Sequence, residues 1–91
     1  MAAAVLASAQ TAGTRCGDAD PEISISACSG IIQSGRLGGR DLAVAHTHRG
    51  VAYVALLDYD RALQDFGQAI RIDPRLPAAF ANRGAVHGAR Q

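Results

Sequence analysis

Gly50 and Gly84 are thirty-four residues apart and share one setting: Ala45-x3-Arg49-Gly50-x4-Ala55 recurs as Ala79-x3-Arg83-Gly84-x4-Ala89. A fixed period near this length marks a stacked helical repeat. Each unit of such an array is a helix pair that buries its apolar face only against its neighbours. The period therefore predicts an all-α chain of antiparallel helix-turn-helix units, and a binding scaffold in preference to an enzyme.

The chain has 91 residues, enough for one small domain. Its formal net charge is +1, far from the clustered basic surface that phosphate backbones demand, so nucleic acid is not an expected partner. All nine basic residues are Arg. Arg, Ala and Gly share GC-rich codons, so this reads as genome bias. The four aromatic residues, Tyr53, Tyr59, Phe66 and Phe80, all fall in the repeat region, which suits helix packing better than base stacking.

Four helices are expected. Asp20-Pro21-Glu22 reads as a helix start, with Asp20 as N-cap and Pro21 in the first turn. That helix runs to about Ser34, with Ile25, Cys28, Ile31 and Ile32 on one face, and Gly35 ends it. The stretch from Gly35 to Arg40 is a loop. A second helix is expected from about Asp41 to Leu57, with Gly50 in its middle. There glycine costs about 1 kcal/mol relative to Ala and lets another helix approach closely. Asp58 caps a third, from about Tyr59 to Ile72, whose apolar face is Leu63, Phe66, Ala69 and Ile70. Pro74 and Pro77 forbid its continuation. A fourth starts near Pro77, with Phe80, Gly84 and His87 on one side.

The run His46-x2-Arg49-Gly50-x2-Tyr53, then Ala62-x3-Phe66-x2-Ala69, then Pro74, resembles the tetratricopeptide repeat. Two positions depart from that pattern: His46 stands where a large aromatic is usual, and Arg49 where Leu is usual. Phe80-x2-Arg83-Gly84-x2-His87 restarts the pattern with His in place of Tyr. Aligning Cys28 on Phe66 also places Ile25 on Leu63 and Ile32 on Ile70. The chain thus reads as the second half of a degenerate repeat, one complete repeat over about 43–76, and the first half of another.

The resemblance assigns Gly50, Tyr53, Ala62, Phe66, Ala69, Pro74, Phe80 and Gly84 to repeat packing. Gly50 and Ala62 are expected at the closest approach of the helix pair. In this family an inner, concave face made by the first helix of each repeat binds extended peptides. The matching positions here are Val44, Thr47, His48, Val51, Val54 and Ala55, then Ala78, Ala81, Asn82, Ala85 and Gly88. They either form a peptide groove or pack against a neighbouring repeat, and both readings stand. The implied function is protein–protein interaction, with a protein or peptide as partner, no cofactor and no catalysis. Three or more repeats are normally needed for stability. This chain carries fewer, so it reads as a piece of a larger protein or as a module that pairs with its own copies.

Residues 1–9 are apolar and end in Ala7-Ser8-Ala9, which fits a small-x-small cleavage rule. The two readings are a secretory remnant, placing the protein in a bacterial periplasm or outside the cell, and a frayed Ala-rich tail of a cytoplasmic protein. The segment is far below the roughly 20 apolar residues of a membrane span. Residues 10–19 form an arm before the helical domain. It carries Cys16, twelve residues before Cys28. Cys28 lies about 10 Å along the first helix from Pro21. An extended arm reaches back about 17 Å. A disulfide is sterically possible, with two free thiols as the alternative.

Other candidate chemistry is weak. His46 and His48 are two apart and point to different sides of a helix, unlike a helical metal pair, so no metal site is expected. His46 reads as a core filler, His48 as a surface or groove residue, and His87 as half-buried packing. The loop Gly35 to Arg40 lacks the Lys-Ser/Thr of a phosphate-binding loop. Ser24, Ser26 and Ser29 have no base and acid at usable spacing. Asp58 and Asp60 read as turn and cap residues. Arg61 and Asp65 read as an exposed helix pair.

Overall fold

The computed structural model describes residues 15–90. The apolar segment 1–9 and the first residues of the arm lie outside that range. Among the described residues there are four helices and no strand: α1 (Pro21–Gln33), α2 (Gly39–Ala55), α3 (Tyr59–Ile72) and α4 (Pro77–Arg90). The fold is an all-α helical-repeat fragment.

The helix boundaries follow local chemistry. Asp20 caps α1, its Oδ1 accepting from the Glu22 and Ile23 amides at 3.0 and 3.3 Å. Gly35 follows α1 at φ +70°. α2 starts and stops two residues earlier than Asp41 and Leu57 suggest. It ends because Leu57 adopts φ +62°. The Leu57 amide donates to Val54 O and the Asp58 amide to Tyr53 O, both at 2.9 Å. That pair of bonds is a Schellman closure, with Leu where glycine is usual. Asp58 then caps α3 by accepting from the Arg61 amide at 3.3 Å.

α2 is the central element. It packs against α1 on one side and α3 on the other, and α4 packs mainly on α3. One apolar cluster joins Ala43, Ala69, Leu76 and Ala79, with Val44, Ile70 and Ile72 against it. A second joins Ala62, Phe66 and Val86, with Tyr53, Val54, Tyr59 and Leu63 around them. Most of these buried residues are alanines, so the helices approach closely and dispersion is gained backbone to backbone.

Phe66, wholly buried, is the largest core side chain. Its ring lies over Gly50: a Cβ built there would sit 2.5 Å from Cε1 of Phe66. The closest approach at Gly50 is therefore to the Phe66 ring. Ala62 is buried beside that ring. At Gly84, the repeat equivalent of Gly50, no described atom comes within 4 Å of a Cβ.

Cys16 and Cys28 form a disulfide. Cys28 is fully buried on α1. Ser24 Oγ accepts from the Gly17 amide at 2.9 Å, so a hydrogen bond seats the arm beside the covalent link. Closing a loop of this size contributes about 3 kcal/mol in the chain-entropy account.

Candidate functional site

The residues expected on the inner face fall into separate groups. Val44 and Val54 are half-buried and pack on the two apolar clusters. Thr47 is buried, and its Oγ1 donates to Ala43 O at 2.9 Å. His48, Val51 and Ala55 come together and are exposed. With Ala52 they face the arm residues Gly17, Asp18 and Ala19 and line a pocket of about 210 Å³. The arm thus lies beside this side of α2, with the His48 ring 3.1 Å from a Cβ built at Gly17.

On α4, Ala78, Ala81, Ala85 and Gly88 are exposed. Asn82 Nδ2 donates back to Ala78 O at 2.8 Å. Phe80 is 40% exposed, with Arg83 stacked 5.3 Å from its ring centroid. Tyr53 and Ala69 sit in or against the two clusters, and Pro74 occupies the α3–α4 turn. His87 was expected half-buried. It is exposed, because only Ala79 and Val86 of α4 are buried.

A feature that the pattern did not reveal lies between α2 and α3. Asp65 is buried, 3% exposed, and is bound from two sides. His46 Nδ1 lies 2.9 Å from Oδ1. A carboxylate only accepts, so Nδ1 carries the proton. Arg49 Nε donates to Oδ2 and a terminal guanidinium nitrogen donates to Oδ1, both at 2.8 Å. This fork-on-fork pairing is the strong form of the contact. The hydrogen bond to Asp65 holds the Arg49 guanidinium above its ordinary pKa. Arg49 also donates to Ser29 Oγ at 3.1 Å, tying α1 to the pair. The expected exposed Arg61–Asp65 pair is replaced: Arg61 instead holds Asp58 at 3.0 Å and lies 5.9 Å over Tyr53. The helical spacing of 61 and 65 is met, but Asp65 is turned toward α2.

Beside this network is a cavity of about 480 Å³ whose lining includes Arg49, Arg61, Gln64, Gln68 and Arg71. No nucleophile–base–acid chain is assembled among the described residues. Their only close imidazole–carboxylate contact is His46–Asp65, and the Asp65 oxygens are both engaged.

The ring of Phe66 over Gly50 and the restart at Gly84 describe a helix-pair unit of defined length. Residues 43–76 match the family model of the tetratricopeptide repeat. The matched segment runs from α2 through the turn after α3, so it contains the Gly50–Phe66 contact and the Asp65 network. The match supports the tetratricopeptide-repeat family over those residues. No match is found among curated proteins or among solved structures.

Proposed function

We propose that this protein is a non-catalytic scaffold that binds a protein or peptide along the helical-repeat surface. One observation carries the reading: a repeat unit packed through Gly50 and Phe66 is followed by α4, which repeats the same pattern with Phe80 and small side chains exposed. Val51 of α2, 44% exposed, adds apolar surface on the face that the family resemblance marks as inner. Rigid apolar surface bordered by polar groups is what peptide recognition uses.

The second reading is self-association through α4, favoured by the same exposed Phe80. Sedimentation over a wide concentration range separates the two. The scaffold reading predicts a monomer throughout, and a size that rises with concentration overturns it.

We further propose an exported location, periplasmic or secreted. The Cys16–Cys28 bridge supports this, since disulfides persist in oxidising compartments. Intact mass of the protein expressed in a bacterium with its own N-terminus tests it. Loss of residues 1–9, with two thiols titrating only after reduction, is the expected result. An unprocessed chain with free thiols contradicts it.

A further inference from the structure

The cavity on the α2–α3 pair has a one-sided chemistry. Arg61, Gln64, Gln68 and Arg71 follow one another at spacings of three, four and three, so they form a single stripe of α3. Arg49 of α2 also lines the cavity. The lining contains one carboxylate, Asp65, whose two oxygens are already held by His46 and Arg49. With His neutral, three Arg against one Asp leave a formal charge of 3 − 1 = +2. Asp58 offsets Arg61 in part. Among the described residues Arg71 makes no ion pair. An incoming group thus meets the Arg71 guanidinium and the Gln64 and Gln68 carboxamides, while Arg61 is shared with Asp58 and Arg49 is held by Asp65.

We propose that this stripe is a docking site for an extended acidic segment of a protein partner, with one carboxylate on Arg71 and a second near Arg61. The two positions are ten residues apart, about 15 Å along the helix. An extended chain covers that length in about four to five residues. Two acidic side chains at that separation match the two ends. A guanidinium takes a carboxylate through two parallel hydrogen bonds. Gln64 and Gln68 lie between, and each carboxamide both donates and accepts, which suits the peptide groups of the segment. A nucleic acid strand fits less well, because it calls for an extended clustered basic surface and this chain has a formal net charge of +1.

This site shares with the scaffold reading only that the partner is a protein. It uses a different face, so each stands or falls separately. Fluorescence anisotropy with the full oxidised chain at low ionic strength tests it. The probe is a labelled peptide with two Glu separated by about four uncharged residues, paired with a control carrying Gln at both positions. The Glu peptide is expected to bind, and the Gln peptide at least about tenfold more weakly. Arg71→Gln is expected to weaken the Glu peptide by about tenfold or more, and added salt to weaken it further. Arg36→Gln in the α1–α2 loop is expected to leave binding unchanged. Helicity by circular dichroism confirms that each variant folds. Equal binding of the two peptides, no binding of the Glu peptide at about millimolar concentration, or an Arg71→Gln chain that binds like the parent would overturn the proposal. So would displacement of the peptide by inorganic phosphate at the same concentration, which would reveal a small-anion site. A chain that self-associates in sedimentation but still binds the Glu peptide would sink the scaffold reading and leave this one intact.

Discussion

Nδ1 of His46 lies 2.9 Å from Oδ1 of Asp65, and Arg49 grips the same carboxylate from the other side at 2.8 Å. His46 and Arg49 are the two positions at which the segment departs from the tetratricopeptide pattern. Both contact the same buried acid on α3. A buried carboxylate left with half its partners is costly, whereas a fully satisfied one is tolerated. Arg49→Leu, which restores the usual family residue, is therefore expected to destabilise by about 2–4 kcal/mol in urea unfolding, somewhat below the fully buried range because Arg49 keeps some solvent contact. Arg49→Leu combined with Asp65→Asn is expected to recover part of that loss, since Asn still accepts from His46 without a buried charge. Equal stability of parent and single variant would show the network to be dispensable.

Leu57 sits in the left-handed region at φ +62° and is 72% exposed. It has little packing to lose and a backbone strain to relieve. Leu57→Gly is expected to stabilise by about 0.5–1 kcal/mol, as the left-handed cost outweighs the added freedom of the unfolded chain. A lower unfolding midpoint for this variant would mean that Leu57 has a contact role.

Reduction of Cys16–Cys28 removes the covalent hold on the arm, leaving the Gly17–Ser24 hydrogen bond. The loss expected on thermal or urea unfolding is about 3 kcal/mol. The arm should also move off His48, so hydrogen exchange at Gly17 is expected to rise on reduction while exchange in α3 stays slow. Unchanged protection at Gly17 would mean that the disulfide does not hold the arm.

Asp18 is held below its ordinary 3.8, chiefly by the Asp20 backbone amide it accepts from; desolvation opposes this, and Arg15 adds to the lowering. A depressed carboxylate contributes stability above its unfolded pKa, and that contribution is lost as pH falls through the folded value. The Asp20 amide resonance is therefore expected to titrate with a midpoint below 3.8. A midpoint at or above 3.8 would indicate that the turn at 15–18 is not formed in solution.

The sequence displayed the helices well and the pairings between them poorly. Asp20, Asp58, Gly35, Pro74 and Pro77 act within a few residues of themselves, so their punctuation is local and readable. The 34-residue recurrence was enough to frame the segment that the family model matches. Helical spacing offers Arg61, one turn away, as the first partner of Asp65. Its actual partners lie 16 and 19 residues earlier on the facing helix. Leu57 carried no turn signal, as nothing about leucine announces a left-handed residue. The positions assigned to an inner groove came from resemblance alone, and burial of Thr47 and proximity of the arm to His48 depend on tertiary packing. His87 is exposed for a related reason: only Ala79 and Val86 of α4 are buried.

The account rests on a repeat unit that is closed at Gly50 and open at Gly84, and paired alanine substitutions test this most directly. At both sites Ala is the better helix former by about 1 kcal/mol. At Gly50 the added Cβ would meet Cε1 of the wholly buried Phe66 ring at 2.5 Å, and overpacking of this kind costs about 1–3 kcal/mol. At Gly84 it meets nothing within 4 Å. Side-by-side thermal melts should therefore move in opposite directions, down for Gly50→Ala and up for Gly84→Ala. A Gly84→Ala melt that falls as far as that of Gly50→Ala would contradict the account, because it would mean that a helix packs on α4 in solution.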